Sequence, residues 1–162
     1  MNKKNQTILA LYPNRYGIGY AVFDTPDNLV EYGIGYVQPI SNKKTMKRVK
    51  QYIAYYKPNV IITRNINDQN KKSKRIEKLI DCICKEAQLQ NFEVHSYTRT
   101  QIKDVFLQFG ANSKYQISQK IIGWYKRLES YTFPERKRWM AENHNTGVFD
   151  AVSLAMTHYY LE

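Results

Sequence analysis

The sequence predicts an α/β fold built on a five-stranded mixed sheet flanked by helices. Three observations carry that prediction. Three strand-like runs open the chain with only short turns between them, the pattern of an antiparallel meander. Helical and strand-like segments then alternate twice, which calls for parallel strands joined by crossover helices. Finally, no internal repeat, linker or low-complexity tract interrupts the 162 residues, so one domain spanning 1–162 is expected.

The elements follow in order. Thr7 to Tyr12 is a short apolar run closed by Pro13, as in a buried strand. Tyr16 to Phe23 is rich in aromatic and branched residues and reads as the second strand. Asp24-Thr25-Pro26-Asp27-Asn28 supplies the turn residues that lead to a third strand, Leu29 to Gln38. Ser41 is a natural N-cap for a helix to about Tyr56, with Met46, Val49, Tyr52, Ile53 and Tyr56 at helical spacing and lysines opposite. Val60-Ile61-Ile62 is a compact β-branched strand after Pro58. Gln69 to Gln88 has Ile76, Leu79, Ile80 and Ile83 on one helical face. Phe92 to Tyr97 is the fifth strand. Arg99 to Phe109 is helical and stops at Gly110, a C-terminal cap. Tyr115 to Leu128 is helical, Thr132 to Asn145 reads as a loop with a helical turn, and Gly147 to Tyr160 is the last helix.

Composition narrows the function. Hydrophobic residues make up 43%, enough for a packed core, and the net charge is +11. Such an excess of Lys and Arg points to a polyanionic partner, nucleic acid before membrane. Cys82 and Cys84, two apart in a helical pattern, face different directions and make neither a bridge nor a metal site by themselves. The first residues lack an apolar signal core and no run approaches a membrane span, so a cytoplasmic protein is expected.

Three blocks carry a resemblance. The first is Ile8-Leu9-Ala10-Leu11-Tyr12-Pro13-Asn14 with Gly19-Tyr20. The second is Arg99-Thr100-Gln101-Ile102-Lys103-Asp104 with Gly110-Ala111-Asn112-Ser113-Lys114-Tyr115-Gln116-Ile117. The third is the closing helix from Gly147 to His158. In this order they resemble the RuvC-type Holliday-junction resolvases of the RNase H-like superfamily. The resemblance implies an RNase H-like fold, a DNA partner (four-way junctions among them), and a homodimer. It also implies metal-assisted cleavage, in which clustered carboxylates hold Mg²⁺ at a scissile phosphate.

Carried over position by position, the resemblance places the first-strand carboxylate on Tyr12. The fourth-strand carboxylate falls on Thr63, or on Arg64 in the neighbouring register. The pair in the last helix falls on Gly147 and Asp150. Asp150 alone keeps an acid, so the catalytic centre reads as degenerate and neither a metal site nor another cofactor is expected. Mg²⁺ enters only if Asp68 or Glu142 swings in from a flanking loop; Asp24 and Asp27 belong to the far end of the second strand. Asp150 otherwise reads as a structural acid, capping the last helix or pairing with Arg64. His158 is expected to touch the sheet, and His95 and His144 show no ligand spacing. The Gly17-Ile18-Gly19 and Gly33-Ile34-Gly35 pairs sit within strands and suit close packing better than phosphate binding.

Two basic stretches are candidate phosphate contacts. Arg64, Lys71, Lys72, Lys74 and Arg75 follow the fourth strand, at the rim where ligands meet such sheets. Arg136, Lys137 and Arg138 precede the last helix, next to Trp139, which can stack on a base. Lys103 and Lys114 match basic positions of the resembled family. The sequence therefore points to a DNA-binding protein whose resolvase centre has decayed. Its rivals are an active Mg²⁺-dependent junction endonuclease with a rearranged acid set, and an assembly protein that keeps the fold.

Overall fold

The computed structural model describes residues 6–162. Strands β1 (Ile8–Asn14), β2 (Gly17–Thr25) and β3 (Asn28–Tyr36) form the antiparallel meander. Helix α1 (Asn42–Tyr56) crosses to β4 (Val60–Asn65), and α2 (Lys74–Leu89) crosses to β5 (Glu93–Thr98). The sheet order is β3-β2-β1-β4-β5, with β4 parallel to both β1 and β5. Then come α3 (Arg99–Leu107), α4 (Lys114–Trp124), a 3₁₀ turn (Lys126–Tyr131) and α5 (Thr146–Leu161).

Alternation along the strands sorts side chains onto two cores. From β1, Leu9 and Leu11 join Ile61 of β4 against Val49, Ile53, Leu79 and Ile83 of α1 and α2. Ile8, Ala10 and Tyr12 point the other way, with Val60 and Ile62, onto α5 and its neighbours. The central strands are covered on both faces, which is why they read as continuous apolar runs. Leu9, Leu11, Ile61 and Ile62 are fully buried, each worth about 1.5–3 kcal/mol of transfer free energy.

α5 is buried from Thr146 through Ala155, and again at Thr157 and His158. It lies so close to β2 that a Cβ on Gly19 would sit 2.0 Å from the Gly147 carbonyl oxygen. Glycine at 19 therefore sets how near α5 approaches the sheet. His158 meets the sheet as expected, its Nδ1 lying 2.8 Å from the Tyr97 hydroxyl. Burial, with His95 next to it, holds the His158 pKa below the ordinary histidine value.

Several element ends shift by a residue or two, with β3 ending at Tyr36 and α3 at Leu107 before its Gln108 cap, and two boundaries differ more. α2 starts at Lys74 rather than Gln69. Asn65 Oδ1 accepts from the Asn67 amide and ties the preceding segment into a turn, and Ser73 then caps the helix. No apolar residue between Gln69 and Ser73 offers a helix anything to bury. The segment from Tyr115 to Leu128 breaks at Tyr125, whose extended backbone (φ −131°, ψ 85°) ends α4 before the 3₁₀ turn buries Leu128. Among the described residues, no helix is long and apolar enough to cross a membrane.

Candidate functional site

The carboxyl ends of β1 and β4 meet the amino ends of α3, α4 and α5 around Tyr12. Its ring is buried, and Arg64 lies over it with the guanidinium carbon 4.3 Å from the ring centre. On another side the Lys114 ammonium stands 5.7 Å from the same centre. Arg64 also donates to the Pro13 carbonyl at 2.7 Å, which fixes it across the end of β1.

Asp150 is buried one turn into α5. Arg99 Nη1 approaches its Oδ1 at 3.4 Å, and Lys114 Nζ its Oδ2 at 3.3 Å. Lys114 also donates to Glu142 at 2.7 Å. The cluster thus holds the cations Arg64, Arg99 and Lys114 against the carboxylates Asp150 and Glu142. Burial works against the Lys114 ammonium, but the charge of Asp150, then Tyr12 and Glu142, outweighs it and raises the Lys114 pKa. Tyr12 is raised as well, by burial first and by the Asp150 charge second. At neutral pH Tyr12 keeps its proton and Lys114 its charge.

Several expected site residues do converge. Tyr12, Arg64, Lys114 and Gly147 line one pocket of about 190 Å³, with Glu142 and Thr146 on its wall. Thr63 does not join them. It is fully buried on the opposite face of β4, with Ile61, because neighbouring residues of a strand alternate. Arg64, one residue on, holds the position facing α5. Asp150 pairs with Arg99 and Lys114 rather than with Arg64, which Pro13 and Tyr12 hold. Asp68 stays outside: Thr100 donates to it through its amide at 3.1 Å and its hydroxyl at 2.8 Å. Those bonds outweigh its slight burial and lower its pKa.

The basic stretches divide. Lys71 and Lys72 are exposed on the turn between β4 and α2, and Lys74 is exposed at the first position of α2. Arg75 is turned inward and donates to the Asn14 carbonyl at 2.8 Å, a brace across the rim. Lys103 is exposed on α3. Arg136, Lys137 and Arg138 are exposed on the loop before α5; Arg136 donates to the Met140 carbonyl, and Lys137 stands over Trp139, which is 79% exposed. Arg136 borders a second, largely apolar pocket of about 270 Å³ that shares Lys114 and Glu142 with the first.

Arg99 and Thr146 were not singled out by the sequence. Arg99 opens α3 directly after β5, at the same rim as Arg64, and that position was the available signal. Thr146 starts α5, and its buried hydroxyl has no hydrogen-bond partner among the described residues. The α5 amino end has no side-chain cap either.

Metal fit can be judged from the donor set. A Mg²⁺ site needs several free hard-oxygen ligands. Here Asp150 and Glu142 already hold Lys114 and Arg99, Tyr12 offers a protonated phenol, Gly147 offers no side chain, and Arg64 would repel a cation. The residues present do not fit Mg²⁺.

No family model matches the sequence, and no curated protein matches it. Solved structures do. The chain is 14% identical to Thermus thermophilus RuvC, covering 95% of this chain and 93% of that one, with a TM-score of 0.66. T. thermophilus RuvC in complex with a Holliday junction substrate gives 13% identity, 96% and 93% coverage and a TM-score of 0.66. The yeast mitochondrial Holliday junction resolvase gives 10% identity, 97% and 79% coverage and a TM-score of 0.56. The sheet order and its helices define an RNase H-like fold. Within that class, the arrangement is the one seen in RuvC.

Proposed function

We propose that this protein binds DNA, four-way junctions included, through its phosphates, and does not cleave it. The observation that carries this reading is the state of the pocket around Tyr12. The ammonium of Lys114 and the guanidinium groups of Arg64 and Arg99 crowd the place where the resembled family gathers carboxylates. The cavity itself is lined by Lys114, Arg64 and Arg15 against the single carboxylate of Glu142, a balance that suits an anion. Its wall includes the amino end of α5, which has no side-chain cap and whose dipole favours negative charge, and the Thr146 hydroxyl, which has no partner among the described residues. A solved neighbour of the same fold holds a Holliday junction substrate, which supports the choice of nucleic acid.

Outside the pocket, Lys71, Lys72, Lys74 and the Arg136–Arg138 loop extend the basic rim, and Trp139 offers a stacking surface. Phosphate contacts of this kind position DNA without reading its sequence. Binding should therefore weaken steeply with salt, each neutralised duplex phosphate adding about 0.9 to the log–log slope. The test is a salt series of binding to a four-way junction and to duplex. Replacing Lys71, Lys72 and Lys74 together with Ala should flatten the slope by up to roughly 3 and weaken all sequences alike. Affinity that ignores salt, or a triple variant indistinguishable from the parent, would overturn the reading and favour a protein partner.

One observation favours a second reading, an active Mg²⁺-dependent endonuclease. Glu142 does reach the pocket beside Asp150. Junction cleavage in Mg²⁺ that Asp150→Asn abolishes would establish it. The expected result is no cleavage of junction, duplex or RNA–DNA hybrid. A homodimer is the expected assembly, and sedimentation of the protein with and without junction DNA measures it.

A further inference from the structure

The other end of α5 gathers a different set of groups. His158 lies in its last turns, and Glu162 follows the helix. His95 projects from β5 beside them, its ring 4.6 Å from that of His158. One ligand atom from each of His95, His158 and Glu162 lies within 4.8 Å of the others. His158 and Glu162 are one helical turn apart at the end of α5, whereas His95 is distant in sequence and reaches them only because β5 packs beside α5.

We infer that His95, His158 and Glu162 form a site for a divalent transition ion, Zn²⁺ first, separate from the candidate DNA-binding pocket. Two imidazoles and one carboxylate are a donor set that suits Zn²⁺ and not Mg²⁺. Zinc bonds of about 2.0–2.2 Å place tetrahedral ligand atoms roughly 3.3 Å apart, so the widest separation in the cluster must close by up to about 1.5 Å. Glu162 can move, because its side chain is 55% exposed.

The surrounding groups orient both rings. Glu93 Oε1 is 3.2 Å from His95 Nε2, and Glu162 Oε1 is 3.9 Å from His95 Nδ1. Glu93 beside Nε2 favours the tautomer that carries its proton there, which leaves Nδ1 bare on the side of Glu162. The Tyr97 oxygen lies 2.8 Å from His158 Nδ1; in the tautomer whose Nδ1–H donates to it, Nε2 is the unprotonated nitrogen that can ligate a metal. Metal-bound histidines are held in the same way, by a polar partner on the second nitrogen. Electrostatics agrees: in a chain of net charge +11, this corner brings Glu93 and Glu162 together. The side chain of His95 is a quarter exposed, which gives an ion its entry and leaves the fourth position to water. A bound ion would pin the end of α5 to β5.

Calorimetric titration of the intact protein with Zn²⁺ tests this, alongside Co²⁺ as a spectroscopic probe. The expected result is one equivalent bound, a tetrahedral Co²⁺ absorption band, and a higher melting temperature with Zn²⁺. His95→Gln, a change at a partly exposed edge-strand position, should weaken binding by more than about tenfold, the least that loss of even an outer partner of a ligand costs. It should also abolish the Co²⁺ band and the thermal shift. Glu162→Gln should weaken binding in the same direction. Absence of saturable Zn²⁺ binding to the parent, or binding by His95→Gln equal to the parent's, would overturn the site. Neither result bears on DNA binding, which is measured separately.

Discussion

At its amino end, α5 holds Asp150 among Arg99 and Lys114, with Arg64 close by on Tyr12. At its carboxyl end it holds His158 beside His95, with Glu93 and Glu162 around them. The step of eight residues from Asp150 to His158 separates these clusters by about 12 Å. One end supplies cations to the few acids present, and so its acids are not free for a metal. The other offers imidazole nitrogens and carboxylates with no Lys or Arg bonded to them among the described residues. Metal binding follows the balance of charges around a ligand, and a resembled fold is no guide to where in this chain that balance favours a cation.

The comparison breaks most sharply at Asp150. Its carboxylate is the main counter-charge of a partly buried cation pair, and losing one member of such a cluster leaves the others uncompensated. Asp150→Ala should cost about 3 kcal/mol or more in denaturant-induced unfolding. Asp150→Asn, which keeps an acceptor in place, should cost less. A loss below about 1 kcal/mol for the alanine variant would mean that the amino-end cluster behaves like a solvated surface pair.

Gly19 sets the distance at which α5 presents that cluster. A Cβ there meets the Gly147 backbone, which cannot swing aside as a side chain can. Gly19→Ala should destabilise the protein by about 1–3 kcal/mol and shift the tyrosine signals around Tyr12. Unchanged stability would show that α5 can slide along the sheet.

Alkali offers a gentler test. Tyr12 and Lys114 both have folded pKa values raised above their ordinary 10.0 and 10.5. In that window the folded state binds more protons than the unfolded state, so stability falls as pH rises. These two groups should leave stability unchanged up to about pH 10 and lower it progressively above. Tyr12→Phe should make the decline shallower, which denaturant midpoints across pH 9 to about 11.5 would resolve. A steeper decline in the variant would mean that the phenol does not hold its proton in the folded state.

The smallest stability effect belongs to the exposed lysines. Replacing Lys71, Lys72 and Lys74 with Ala should change folding free energy by about 0.5 kcal/mol or less while altering DNA binding. A large stability loss there would mean that the turn before α2 contributes to the core.

The sequence alone carried the meander, the crossover order and the identity of most core positions. Those features are written in short-range signals: β-branched runs, turn residues and helical spacing between neighbours. It also located Tyr12, Gly147 and Asp150 on the elements that meet at the pocket, and it marked the exposed lysines after β4. It left the choice between Thr63 and Arg64 open, since a one-residue step in a strand exchanges the two faces. Only the packed sheet puts Arg64 on the α5 side and buries Thr63 on the other. The partners of Asp150 were out of reach for the same reason. Arg99 and Lys114 approach it from two other helices, and no local pattern reports the sign of charge that distant elements bring to one point. The pairing of His95 with His158 is more distant still, 61 residues separating His158 from its hydrogen-bond partner Tyr97 on the same strand as His95. Local propensity determines which elements form. The long-range burial that closes the sheet under α5 decides which side chains meet, and with them the chemistry at each end of that helix.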